Sequence, residues 1–328
     1  ANAWSGPDRI QVPAGNYVLD SGIGALSITD DLILEGASAE ETIIDGGRVS
    51  VGASCKVIIE RVKITRGVSG RGGGIGSMGD LTIRDCIISD NEGCYGGGIA
   101  NYGGKLTVED SSVLRNGQFQ DFYCLGAGIF TSGDMIIRNS TISGNRFGSD
   151  CDGAGIYIGC GPFDCENSTI NVIIENSTIS ENSLDGDYST GAGILGGGNV
   201  TIDNCIISNN STKGGHNTDC AGIKIGGKVT IKNSIISGNR ASASGAGGIC
   251  NTGEMSIIDT AIIGNTAGSE GGGGGILGGH LTITNSTIAD NSAISCGGIQ
   301  GSNMTITNST ISVSYTHLTL PTMSTTWC

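Results

Sequence analysis

Proline and aromatic side chains are scarce in this sequence: there are 4 prolines, and Phe, Trp and Tyr together make up 4% of 328 residues. So few aromatics cannot fill the cores of two or three ordinary globular domains, which is what this length would otherwise imply. Basic residues are scarce as well, 17 against 31 acidic ones, for a formal net charge of −14. That balance argues against nucleic acid or an anionic membrane as partner, because phosphate recognition needs clustered Lys and Arg. No apolar run approaches the roughly 18 residues of a membrane span. The chain opens on Ala1-Asn2-Ala3 without an initiator Met or an export signal. We expect the true N-terminus to lie upstream.

Glycine is abundant, at 59 residues, while Ile, Val and Leu recur throughout. No collagen-like triplet accompanies it. The mixture suits a narrow aliphatic core wrapped by tight turns. Twelve cysteines without metal-site spacing favour an oxidising compartment.

An internal repeat decides the fold class. A small-small-Ile anchor ends at Ile75, Ile99, Ile129, Ile156, Ile194, Ile223, Ile249, Ile276 and Ile299, a mean spacing of about 28 residues. Each anchor is followed by an alternating triplet, such as LTI at 81–83, VTI at 200–202 or LTI at 281–283. A third element, NSTISGN or a variant, places Asn at 91, 116, 145, 182, 210, 239, 265 and 291. Three short strands separated by turns make one triangular coil. In L-T-I the apolar residues face one way and Thr the other. Equivalent strands of successive coils then stack about 4.8 Å apart, and stacking makes the core continuous. Aligned Asn side chains should hydrogen-bond along the axis. The expectation is an all-β parallel β-helix of about eleven coils, a rod of about 50 Å.

Residues 1–70 carry the same physics less regularly and should supply about two opening coils. Residues 71–312 hold the regular repeats. Beyond Ser312 the pattern stops, and Val313 to Thr322 resembles a translated sequencing adapter, as seen where metagenomic assemblies run into untrimmed sequence. Residues 313–328 are therefore set aside, with His317, Trp327 and Cys328. On this reading later coils are missing, and the chain is a fragment open at both ends.

The opening ANAWSGPDRIQVPAGNYVL, followed by LSITDDLILEGASAEETIIDG, and the later GGGI…LTI…NSTISGN units resemble a group of bacterial secreted β-helix proteins. These carry a so-called CSLREA domain just upstream, and their repeats are shared by polymorphic outer-membrane proteins. The resemblance covers residues 1–312. It implies a right-handed helix, in line with the general crossover preference, and export to the cell surface or beyond. It brings no catalytic residues with it.

Several residues invite a chemical reading. The loops before the anchors contain Glu92, Asp121, Asp150, Asp152, Asp185, Asp187, Asp219 and Glu270, which stacking should place along one edge. Asp150, Asp152, Asp185 and Asp187 are densest. They admit a Ca²⁺ site built from carboxylates and loop carbonyls, but a solvated acidic edge is the preferred explanation, because no calcium-loop spacing is present. No other cofactor is expected. Cys94, Cys124 and Cys151 each lie five residues before their anchor, so Cys124 can pair with Cys94 or with Cys151. Cys160 and Cys165 could bridge locally. Cys86 and Cys205 stand where other repeats have Ser and read as buried thiols. The N-x-S/T triplets at Asn139, Asn167, Asn176, Asn285 and Asn308 match glycosylation acceptors, but turn formation explains their recurrence.

Catalysis finds little support. The histidines before the tail, His216 and His280, sit beside glycines with no matching acid motif. Asp30-Asp31 has the form of a catalytic doublet yet precedes a strand as turn residues do. The reading that follows is a secreted or cell-surface β-helix with a non-catalytic, adhesin-like binding or structural role, its partner a carbohydrate or another surface ligand. The alternative is a polysaccharide lyase or glycoside hydrolase of the pectate-lyase-like superfamily, using the loops around residues 146–190 with Arg146 or another residue as base.

Overall fold

A computed structural model describes residues 7–19, 24–117, 123–148, 150–159, 170–214, 219–268 and 272–313. Every strand pairing among them is parallel, and the chain is a right-handed β-helix of about eleven turns. The anchors fix the register. Ile75, Ile99, Ile129 and Ile156 are direct partners in successive coils. The series continues through Ile194, Ile223, Ile249, Ile276 and Ile299. All nine are fully buried. Each contributes roughly 1.5–3 kcal/mol relative to an exposed side chain.

Every regular coil holds a first strand at the anchor (Ile99–Asn101, for example), a second at the alternating triplet (Leu106–Glu109) and a third at the Ser/Thr element (Ser112–Leu114). Third strands stack in one twelve-stranded ladder; first and second strands join a twenty-stranded sheet. In the last coils the corner between first and second strands opens out. Ile249–Ile258, Ile276–Thr284 and Ile299–Thr307 each run as one strand. From Ile276 to Leu281 and from Ile299 to Met304 the chain is one residue shorter than from Ile75 to Leu81, which leaves less chain to turn a corner. Ile249 to Met255, by contrast, merges at the full length. The opening region is deeper than its sequence implied. Third strands at Gly15–Val18, Thr42–Asp45 and Lys63–Thr65 make three layers before residue 70.

Polar ladders close the turns. Eight asparagines, Asn91 through Asn291, are completely buried, which is tolerable only because their side chains are satisfied. Asn145 is typical. Its Nδ2 donates to the Val113 carbonyl of the preceding coil at 3.0 Å and to Asn182 Oδ1 of the next at 2.9 Å. Its own Oδ1 accepts from the Asn116 backbone N–H at 2.9 Å. A parallel Ser ladder links Ser111, Ser140 and Ser177 through backbone N–H to Oγ bonds of 3.1 Å. Cys86 and Cys205 occupy Ser positions in it: both are buried, and their thiols donate to the Ile59 and Ile174 carbonyls. Burial pushes Cys86 up to about 12 and Cys205 up to about 11. Asn139, Asn176, Asn285 and Asn308 adopt left-handed φ of 48°, 50°, 51° and 49°. This is the turn conformation that their recurrence implied. Asn167 lies outside the described residues.

Candidate functional site

The acids before the anchors do not form one edge. Glu92 pairs with Gly117 and thence Arg146, in a narrow ladder that continues through Ser211 to Arg240. Asp152 pairs instead with Leu125, and Asp219 with Thr190 and Ser244. Counting from the repeat landmarks separates the two rows: Glu92 directly follows the ladder residue Asn91, whereas Asp152 and Asp219 each lie four residues before their anchors. Asp121 and Glu270 lie outside the described residues, as do His216, Cys160 and Cys165.

Nor do Asp150, Asp152, Asp185 and Asp187 converge as a Ca²⁺ site: among the described residues, no three of them bring ligand oxygens within 4.8 Å of one another. Each is held separately. Asp152 Oδ1 accepts from the Thr190 N–H and hydroxyl, both at 2.8 Å. Asp185 pairs with Arg146 and, at 3.5 Å, with Lys213. Asp150 takes a left-handed φ of 54° and Asp187 is exposed. Arg146 is thus engaged by Asp185 in the narrow ladder, away from the Asp152 row. Asp30 and Asp31 act as turn residues, with Asp31 Oδ1 accepting from the Lys56 N–H at 2.7 Å. His280 is exposed beside Asn303, 3.4 Å away.

Cys94 and Cys124 form a disulfide between adjacent coils, with Cα atoms 4.4 Å apart. Cys151, next in the column, accepts a hydrogen bond from the Cys124 N–H at 3.2 Å. A second disulfide, Cys220–Cys250, joins residues at different offsets from their anchors, so spacing alone does not signal it.

A different surface gathers functional chemistry. In each first strand the anchor Ile points inward, and alternation sends the next residue out. Phe130 and Tyr157 hold that outward position in adjacent coils and are register partners. Their rings stack, with centroids 5.7 Å apart and an interplanar angle of 8°. Tyr95 meets Phe130 edge-on at 5.9 Å and Tyr102 approaches it at 5.3 Å. Phe130 is completely buried at the centre of this cluster, although it faces away from the core. Further along the same column lie Leu195 and Lys224.

The flanking row runs Arg71, Tyr95, Leu125, Asp152 on one segment and Thr190, Asp219, Ser244 on the next. Arg71 to Asp219 spans five coil steps, about 24 Å. Arg48 lies at the near end, its guanidinium donating to the Arg71 carbonyl at 2.8 Å and to Ser69 Oγ at 3.0 Å. At the far end Lys224 Nζ meets Asp219 Oδ2 at 2.5 Å. Burial raises the Asp152 carboxyl above its ordinary range, with the two Thr190 hydrogen bonds opposing it. Tyr157 is raised by burial and then by the charge of Asp152. Tyr102 is raised by burial, against the pull of Arg71 and Arg48. Residues that touch across this strip are thus aromatic faces rimmed by cations, hydroxyls and one perturbed acid. The signal for it was available: the rare aromatics fall at the residue after the anchor in two successive coils.

A β-helix carrying an aromatic and polar strip on an outer sheet face is the class of protein that fold and site define. The family described as right-handed beta helix region matches residues 40–183, less than half of the chain. Among solved structures, the chain is similar to the A-module of Azotobacter vinelandii mannuronan C-5 epimerase AlgE4. Identity is 17%, over 95% of this chain and 89% of that one, with a TM-score of 0.58. The AlgE6 A-module of the same organism is 14% identical over 94% and 91%, with a TM-score of 0.47. A PL6 alginate lyase in complex with trisaccharide is 11% identical over 95% and 80%, with a TM-score of 0.36. At 17% identity, what the likeness to the AlgE4 module shows is the fold alone. No curated protein sequence matches the chain. No helix among the described residues is long and apolar enough to cross a membrane.

Proposed function

We propose that this protein is an exported or surface-displayed β-helix that binds a polysaccharide along the outer face of its first-strand sheet, without catalysis. The observation that carries the reading is the cluster in which Tyr95, Tyr102 and Tyr157, each partly exposed, pack over the buried Phe130. Aromatic rings offer apolar faces to sugar C–H groups, while tyrosine keeps a polar tip for hydroxyls. Arg48, Arg71 and Lys224 add donors along the strip. Inter-coil disulfides support an oxidising location outside the cytoplasm. One similar solved structure, at a TM-score of 0.58, is a mannuronan C-5 epimerase module, so mannuronan belongs in the first panel of ligands. Calorimetric titration of that panel is the test. A Tyr95→Ala/Tyr157→Ala variant that keeps its β-sheet spectrum should weaken binding roughly ten-fold. Unchanged affinity, or no binding to any glycan, would sink the proposal.

A second reading, a polysaccharide lyase or glycoside hydrolase at the same strip, draws on Asp152. A carboxyl group whose pKa burial raises is better suited to a general-acid role than an ordinary aspartate. Asp219 lies two steps further along that row, about 10 Å away by coil spacing, close to the separation of carboxyl pairs in inverting hydrolases. Reducing-sugar and unsaturated-uronate assays, with and without Ca²⁺, separate the readings. Turnover that is lost in Asp152→Asn would replace the non-catalytic assignment.

A further inference from the structure

One corner of the strip combines a disulfide with a carboxylate in an arrangement that mere stapling of two coils does not require. Among the described residues, Asp219, Cys220 and Cys250 are the one trio whose ligand atoms all lie within 4.8 Å of one another. Asp219 Oδ1 is 3.8 Å from Cys250 Sγ. Neighbouring ligands on a tetrahedral zinc ion, with bonds of about 2.0–2.3 Å, sit roughly 3.5–3.8 Å apart. The carboxylate is held in place from two sides. Lys224 Nζ takes Oδ2, which turns Oδ1 toward the sulfurs. Gly245 lies so close that a Cβ there would collide with Oδ1. A single backbone N–H, from Ala246, points at both sulfurs, 3.4 Å from Cys220 and 3.2 Å from Cys250. Such N–H to sulfur bonds stabilise thiolates in metal sites as outer-shell contacts. Cys220 and Cys250 are both buried, so an ion there would be shielded.

We propose that the Asp219–Cys220–Cys250 corner is a redox-gated site for a soft dication such as Zn²⁺, closed as the disulfide and opened by a dithiol reductant. The balance is simple. The dithiol passes two electrons and two protons to the Cys220–Cys250 bond, giving two thiols, and becomes a disulfide itself. Zn²⁺ then displaces both thiol protons to solvent. It forms two Zn–S bonds and one Zn–O bond to Asp219 Oδ1, and water takes the fourth position. Three protein ligands plus an exchangeable water is the pattern of a zinc ion open to further chemistry. The cysteines lie thirty residues apart in sequence, so only the stacking of coils assembles the trio.

Co²⁺ serves as the probe, because thiolate ligation gives it a near-ultraviolet charge-transfer band. The whole protein is reduced with a dithiol, freed of reductant without oxygen and titrated with Co²⁺, beside an oxidised sample. At least one equivalent should bind to the reduced protein and none to the oxidised form, and Zn²⁺ should erase the band. The Cys220→Ser/Cys250→Ser variant should lose that equivalent, which separates this corner from the cysteines at 94, 124 and 151. Asp219→Asn keeps both sulfurs and should weaken binding about ten-fold or more. No band in the reduced wild type, or an undiminished band in the double variant, overturns the site. Should the double variant fail to fold, equal Co²⁺ affinity in Asp219→Asn and wild type overturns it instead.

Discussion

Asp152 shows how one side chain can work against the fold and still be kept. Its carboxyl is partly buried and accepts two bonds from Thr190, yet burial dominates and raises its pKa from 3.8. The sign of the pH dependence follows. The protonated form is the one favoured in the folded state, so the stabilisation is complete below the ordinary aspartate range. It is lost as pH rises through the folded value. Asp152→Asn keeps an acceptor for Thr190 and removes the ionisation. It should raise the melting temperature at pH 7, and the gain should vanish near pH 3; melting curves across that range check it. A variant less stable at pH 7 would contradict the assignment of burial as the dominant cause. The same scale separates structural cysteines from functional ones. Cys86, with its thiol raised to about 12, should stay unmodified by alkylating reagent at pH 8 until the protein is denatured, as mass spectrometry of the native and unfolded protein would show.

Among elements, the second strands carry a feature absent from the repeat signature. Their fourth outward position aligns Glu60, Arg84, Glu109, Arg138 and Glu175 in register. Arg84 reaches Glu60 at 3.5 Å and Glu109 at 3.3 Å, while Arg138 reaches Glu109 at 3.6 Å and Glu175 at 2.8 Å. Within this run the signs alternate, which avoids like charges one ladder step apart, whereas the column continues at both ends into acid–acid partners, Glu35 with Glu60 and Glu175 with Asp203. Arg138→Glu would set four acids in a row, from Glu109 to Asp203. At these partly exposed positions the expected cost is about 1 kcal/mol, and it should shrink in high salt; urea denaturation at two ionic strengths measures both. The Cys94–Cys124 disulfide is the other inter-element tie. It closes a loop of 30 residues, so Cys94→Ser/Cys124→Ser should cost about 3–4 kcal/mol by the chain-entropy account, read from denaturation midpoints. An unchanged midpoint would show that stacking alone holds those coils.

At the scale of the molecule, a solenoid turns sequence period into distance. The strip from Arg71 to Asp219 extends about 24 Å because each coil adds about 4.8 Å. A sugar unit in an extended polysaccharide advances by close to one coil spacing. Affinity should therefore rise with oligosaccharide length to about five units and then level off. Calorimetry on a length series checks this, and equal affinity for a dimer and a hexamer would count against the strip as the binding surface.

Much of this protein was legible before any coordinate. The anchors at Ile75 through Ile299, the alternating triplets and the asparagine series dictated a parallel β-helix, because a period near 28 residues with three apolar strands buries its core only by stacking. The same register made Cys94 and Cys124 neighbours. Tertiary structure alone decided what loops of unequal length do at the corners. It left Asp150, Asp152, Asp185 and Asp187 apart. It also closed Phe130 between three tyrosines on an outer face and brought Asp219 to Cys220 and Cys250. Strand ladders repeat by hydrogen bonding and are written into the period. Loop conformations depend on contacts with the neighbouring coil, and a linear pattern does not encode those.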